Sequence, residues 1–257
     1  MPYWGYPADV CIVGEVVSGL EALTDLVSRR TARNEGFAQQ RHQRVTEWGE
    51  KNAARRQMWK EGALAAQQHT PIDLGWLCHE INQVLPKDAI VVEETITSRA
   101  AIFQQLDSVP PGGYVSGLSG GLGLSLGIAL GVKCANPDKV VVNLVGDGSF
   151  NYNPVLAAFG CAQEYRLPTL TIVINNGGYQ AMRLGTQQIY PQGFAVQTQN
   201  FYGTPISPHP DYAAIARAFD GYGETVDKPD QIRPTLQRGF AAVAGGKAAL
   251  IDVVIRS

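Results

Sequence analysis

Three runs of mostly β-branched apolar residues, "KVVVNLVG" from Lys139, "LPTLTIVI" from Leu167 and "AALIDVVI" from Ala248, show little polar/apolar alternation. Strands of that kind are buried on both faces, as in a parallel sheet covered by helices. Between them lie stretches with helical spacing. "TPIDLGWLCHEINQVLP" keeps Leu74, Leu77, Ile81 and Leu85 on one face and stops at Pro86, and "DAIVVEE" follows as a strand. "NPVLAAFGCAQEYR" from Asn153, "DYAAIARAFDG" from Asp211 and "QIRPTLQRGFAAVAG" from Gln231 supply further helices. Residues 70–257 thus read as an α/β domain with a mostly parallel sheet and helices on both faces.

The first 69 residues read differently. "ADVCIVGEV" over residues 8–16 is a short β-branched run, and "SGLEALTDLVSRR" places Leu20, Leu23 and Val27 at helical spacing. Residues 1–35 therefore read as the closing strand and helix of a Rossmann-like unit. Residues 36–69 are polar, rich in helix formers and carry several arginines; they read as a solvated helical linker.

A formal net charge of -2, with 17% charged and 45% hydrophobic residues, leaves no electrostatic footprint for nucleic acid. Cys11, Cys78, Cys134 and Cys161 form no C-x-x-C pair and are expected to be reduced and buried. No apolar run approaches the roughly 20 residues needed to cross a bilayer, and no signal peptide opens the chain, so a cytoplasmic location is expected. His42, His69, His79 and His209 have no metal-ligand spacing. His209 lies in a Pro-, Gly- and aromatic-rich stretch that reads either as a substrate lid or as an ordinary surface loop.

Chemistry is concentrated at two strand ends. Asp147, between glycines, follows "VVNLV", and Asn176 follows "TLTIVI". Ligands of parallel sheets collect beyond the carboxyl ends of strands, and the 26 residues between Gly148 and Asn175 suit one crossover helix and a return strand. Each piece alone reads as an ordinary turn. Together they offer oxygen ligands to a hard cation such as Mg²⁺, which takes its remaining ligands from phosphate and water. Ser149 reads as the start of the next helix, whose free N–H groups favour a phosphate, so the pair implies a bound diphosphate.

"GDGSFNY" and "NNGGYQAMR" resemble the thiamine diphosphate signature of the pyruvate decarboxylase, acetolactate synthase and benzoylformate decarboxylase superfamily, and look most like benzoylformate decarboxylase. The resemblance implies the thiamine diphosphate-binding fold, with Asp147, Asn176 and the Gly178 carbonyl on Mg²⁺ and the Gly148 and Ser149 amides on a phosphate. Tyr179 falls in the same cofactor-binding motif. "EETITSRAAIFQQL" looks like the segment that sets a hydroxyl, here Thr97 and Ser98, against the diphosphate. "SGLSGGLGLSLGIALG" resembles the stretch that holds the aminopyrimidine: Gly120 would accept from its 4'-amino group, Gly121 would adjoin it, and Leu122 would wedge the cofactor into its bent form. The same stretch contains a near dinucleotide fingerprint and a G-x-S-x-G, but both need a strand just upstream, and "PPGGYVSGLSG" does not read as one. A glycine-faced helix packed tightly on the sheet is the plain reading of that stretch.

The likeness covers the family's C-terminal, diphosphate-binding domain from about residue 70, with residues 1–35 resembling the end of its middle domain. The pyrimidine-binding domain and its catalytic glutamate have no counterpart in the sequence, so no general acid or base is assigned. This implies a split enzyme: a diphosphate-binding subunit in a hetero-oligomer, a dimer of heterodimers or larger, with a separate pyrimidine-binding subunit. A truncated longer chain is the alternative. Where pyruvate decarboxylases carry a Glu after the "NN-x-G-Y" turn, Ala181 and Met182 are apolar and read either as substrate pocket or as packing. The implied activity is 2-oxoacid decarboxylation or carboligation on an aromatic or bulky substrate. Acetolactate synthase-like chemistry, 2-hydroxyacyl-CoA lyase-like chemistry and a non-catalytic cofactor-binding subunit are the alternatives, and a nicotinamide oxidoreductase is a distant third class.

Overall fold

A computed structural model describes residues 7–107, 109–116 and 121–255. They fall into two units, one ending at Arg55 and the other beginning at Arg56.

In the first unit the strand expected over residues 8–16 does not form. Residues 7–15 lie outside helix and strand, and α1 (Val16–Arg33) begins where the strand should end, capped by Glu15, which accepts from the Ser18 amide at 2.7 Å. An extended run needs a neighbour for its N–H and C=O groups. Residues 8–16 pair with no strand among the described residues, and Val10, Ile12 and Val13 are exposed. The expected row of Leu20, Leu23 and Val27 is helical, yet no residue of α1 is buried. The polar stretch forms α2 (Glu35–Ala65), with Arg41, Arg44 and Arg55 exposed as expected of a solvated helix.

The second unit contains, among the described residues, a six-stranded sheet in which every pair is parallel. α3 (Leu74–Val84) starts at Asp73, whose side chain accepts from the Trp76 amide at 3.1 Å. β1 (Ile90–Glu94), α4 (Arg99–Gln105), β2 (Tyr114–Val115) and α5 (Ser125–Ala135) follow. Next come β3 (Val141–Gly146), α6 (Asp147–Tyr152), α7 (Val155–Glu164), β4 (Leu170–Asn175), α8 (Gln180–Ile189) and α9 (Phe194–Thr198). α10 (Tyr212–Ala218), β5 (Tyr222–Val226), α11 (Ile232–Ala244) and β6 (Ala249–Val254) complete the unit.

The strand order is β2-β1-β3-β4-β6-β5. Burial of both faces follows from the period-2 geometry of strands. Val142 and Leu144 of β3 join a core with Leu77, Ile81, Ile102 and Leu236, while Val145 joins Leu126, Phe159 and Tyr212. The chain leaves β1 for the β2 edge and then returns to β3 on the other side. That reversal between β1 and β3 is where doubly wound sheets open a crevice.

Several local expectations are revised. "PPGGYVSGLSG" does contain a strand, the two-residue β2, too short to be read from its sequence. The crossover from β3 to β4 holds two helices, and Ser149 lies inside α6, which begins at Asp147. α5 does not pack on its glycines: a Cβ at Gly127 or Gly131 would meet nothing within 4 Å, and its buried face is Ser125, Leu126, Ala129 and Lys133. Only Cys78 is buried; Cys161 is half-buried, and Cys11 and Cys134 are exposed. No helix among the described residues is long and apolar enough to cross a membrane.

Gly223 shows how closely helix and sheet approach. A Cβ there would lie 2.0 Å from the Ala213 carbonyl oxygen of α10, a backbone atom that cannot swing aside. Gly223→Ala is expected to lower unfolding free energy by about 1–3 kcal/mol or more, read from urea denaturation.

Candidate functional site

At that reversal lies a cavity of about 250 Å³, open beyond the carboxyl ends of β1, β3 and β4. Thr97 and Ser98 line it from the β1 end, and Leu122 from the turn before α5. Asp147, Gly148 and Ser149 come from the β3 end; Asn176, Gly178, Tyr179, Ala181 and Met182 come from the β4 end. Segments up to 108 positions apart in the chain, Thr95 and Gly203, thus meet around one cavity. Gly121 is exposed and does not line the cavity, and Gly120 lies outside the described residues.

Asp147 joins two of these segments. The residue is 2% exposed, and its carboxylate accepts from the Gly148 and Gly178 amides, each at 2.9 Å. Burial pushes its carboxyl above the usual range, and the amides of Gly148, Gly178 and Gly177 pull it back. Asn176 Oδ1 also accepts from Gly178 N, at 3.2 Å. The Gly148 N–H is therefore turned to Asp147 and not outward, unlike its expected phosphate role. Carboxylate, amide and carbonyl oxygens are the donors a hard cation takes. Among the described residues, no group of three or more His, Cys, Asp or Glu side chains could hold a metal ion.

Space at the site is kept by glycine. A Cβ on Gly148 would come 2.8 Å from the Tyr179 ring, which stands edge-on to Tyr152 with centroids 6.0 Å apart. At Gly178 it would come 2.6 Å from the Thr204 carbonyl oxygen. Thr204–Ile206 is tied to this loop by backbone bonds, Tyr179 N to Thr204 O at 2.7 Å and Ile206 N to Gly177 O at 3.0 Å. The stretch around His209 is thus anchored where it meets the loop. His209 is exposed beside Gly177 and does not line the cavity.

Five supporting residues escaped the sequence reading. Asn175, first of the Asn pair, donates to Asp252 of β6 at 3.0 Å and accepts from Gly177 N at 3.0 Å, which fixes the loop that carries Asn176. The carboxyl of Asp252 is pushed up to about 6, chiefly by burial and further by the charges of Asp147 and Asp211, with Asn175 opposing. Its signal was an acid inside an otherwise apolar strand. Glu93 and Glu94 end β1 and point to opposite faces. Glu93, fully buried, accepts from Thr95, from Arg99 Nε at 3.0 Å and from Ser116 Oγ. Glu94 accepts from the amides of Gly123 (2.7 Å), Leu124 (3.1 Å) and Ser125 (3.1 Å), and from Asn153 Nδ2 (3.0 Å). Two adjacent acids closing an apolar strand were visible in "IVVEE"; Asn153 was read only as a helix start.

A family model described as thiamine pyrophosphate enzyme, C-terminal TPP binding domain, matches residues 96–253. The chain belongs to the thiamine pyrophosphate enzymes. Benzoylformate decarboxylase of Pseudomonas aeruginosa is 32% identical over 175 residues, 67% of this chain and 30% of that protein. The large subunit of Escherichia coli acetolactate synthase isozyme 3 is 24% identical over 252 residues, 96% of this chain and 40% of that protein. The solved thiamine diphosphate-dependent 4-hydroxybenzoylformate decarboxylase of Rhodococcus jostii RHA1 is similar with 30% identity and a TM-score of 0.63, covering 73% of this chain and 33% of that one. This thiamine pyrophosphate enzyme chain thus spans less than half the length of each of these relatives.

The shift of Asp252 makes a pH prediction with a definite sign. Folded, the carboxyl holds its proton up to about pH 6; unfolded, it releases it near its ordinary 3.8. Between those values the folded state binds more protons, so this group's contribution to stability falls as pH rises through the window and stays lost above it. Asp252→Asn, which can still accept from Asn175, is expected to flatten that fall and to raise the unfolding free energy at pH 7. Denaturant titrations of both proteins from pH 4 to pH 8, without divalent cations, check this.

Proposed function

We propose that this chain is the diphosphate-binding part of a thiamine diphosphate- and Mg²⁺-dependent 2-oxoacid decarboxylase or carboligase. The observation that carries the reading is the meeting of Asp147, Asn176 and Gly178 with Thr97, Ser98 and Ser149 around one cavity. The residues fit the group: a buried carboxylate has no Lys or Arg partner among the described residues, the oxygens are hard donors, and glycines keep a cradle that side chains would fill.

Asp147, Asn176 and the Gly178 carbonyl would hold Mg²⁺, with Thr97, Ser98 and Ser149 toward the diphosphate. Leu122, 37% exposed at the cavity, would offer an apolar surface to the cofactor. The bound cofactor supplies a carbanion-stabilising centre for chemistry at the carbonyl of a 2-oxoacid. Ala181 and Met182 present an apolar wall that can exclude water but cannot move a proton, which suits an aromatic or bulky substrate. A second reading, acetolactate synthase-like carboligation, is favoured by the relationship that runs along 96% of the chain. Lysis of 2-hydroxyacyl-CoA is a third chemistry within the same family.

Apart from Asp147, the cavity lining among the described residues holds no carboxylate, and it holds no histidine or lysine. The proton-transferring group would come from a pyrimidine-binding domain on a separate subunit, and the exposed Ile96, Leu122, Tyr152 and Met182 at the cavity would be covered in that hetero-oligomer. Residues 1–35 would be the end of a middle-type domain.

Calorimetry of thiamine diphosphate binding tests the cofactor reading. Binding is expected to require Mg²⁺, to be reversed by chelation, and to weaken by about 10- to 100-fold in Asn176→Ala and at least as much in Asp147→Ala. Metal-independent binding, or wild-type affinity in both variants, would refute it. Turnover of benzoylformate or pyruvate is expected only with the partner present; turnover at ordinary rates by the chain alone would remove the split.

A further inference from the structure

We propose that Glu94 and Asn153 are positioning residues that set the separation between the two ends of the cavity, the Leu122 end and the Asp147–Ser149 end, and so match it to both halves of thiamine diphosphate. The inference rests on the cofactor reading above.

The start of α5 exposes its first N–H groups to the interior, where they need acceptors. Glu94 Oε1 takes Gly123 N and Leu124 N, Glu94 Oε2 takes Ser125 N, and Asn153 Oδ1 takes Leu126 N at 3.0 Å. Four consecutive amides are thereby held by two side chains, one at the end of β1 and the other in the turn that closes α6. Asn153 Nδ2 then donates both to Glu94 Oε2 at 3.0 Å and to the Ser149 carbonyl at 2.9 Å. A continuous path of hydrogen bonds runs from the residue after Leu122, through Glu94 and Asn153, to Ser149.

Direct packing makes that path short. Gly123 has φ +92°, and a Cβ there would stand 2.3 Å from the Tyr152 carbonyl oxygen, so the turn after Leu122 rests on the end of α6. Glu94 and Asn153 are buried, and neither lines the cavity. Their effect on a ligand is to fix where other residues stand. The metal-side bonds, Asp147 to Gly148 and Gly178, use neither of them.

This division yields a test with two probes. In Glu94→Gln, one carboxylate oxygen becomes an NH₂ facing two N–H donors. Asn153→Ala removes the link to Ser149 and leaves the charge of Glu94 intact. The full chain, with any subunit that co-purifies, is titrated calorimetrically in Mg²⁺ with thiamine diphosphate and with inorganic pyrophosphate, which needs only the metal end. Loss of these charge-assisted bonds is expected to weaken thiamine diphosphate about tenfold or more while pyrophosphate changes by no more than about twofold. Asn153→Ala carries the same comparison if Glu94→Gln does not fold. A merely structural role would weaken both probes in proportion; that result, or unchanged affinity for both, overturns the proposal. A wild-type chain that binds neither probe removes the cofactor reading, and the positioning role falls with it.

Discussion

The site depends on one buried carboxylate shared by two strand ends. β3 and β4 lie side by side and parallel, so their last residues present backbone amides in the same direction. Asp147 draws an amide from each, Gly148 on its own segment and Gly178 on the neighbouring one. An acid that deep in the protein is costly unless its oxygens are satisfied. The two amides satisfy part of that demand and fix the loops to each other, and the remainder is what a divalent cation would meet.

Around that centre the end of β1 works as a divider. Consecutive strand residues point to opposite faces, so Glu93 and Glu94 serve different segments although they adjoin. Glu93 organises Thr95, Arg99 and Ser116 on one side; Glu94 organises the start of α5 and the turn after α6 on the other. Asn175 and Asp252 do similar work at β4, where the first asparagine of the pair restrains the loop and the second faces the cavity.

The parallel sheet was legible because β3, β4 and β6 are largely apolar runs without polar/apolar alternation, and Asp147 and Asn176 stood out because their residue types and strand-end spacing are unusual together. What sequence could not supply was long-range pairing. Residues 8–16 have strand composition, but composition brings no neighbour, and the run stays unpaired. β2 has only two residues, below any periodicity, and is created by its pairing with Val91 and Val92. The Asn175–Asp252 bond spans 77 positions and the Glu94–Asn153 bond 59, so neither is visible as a local pattern. Gly148 was misjudged for a local reason: its amide is claimed by the side chain of the residue before it.

The sheet also controls how it ends. A strand edge is a template for another chain unless it is short, charged or covered. At one edge β2 offers only Tyr114 and Val115. At the other, β5 carries Glu224, engaged by Tyr222, Thr235 and Arg238. A domain built from strands this apolar would otherwise be prone to edge-to-edge stacking. Brevity at one margin and an ionic clasp at the other leave the six-stranded sheet, among the described residues, with little open edge on which another chain could pair.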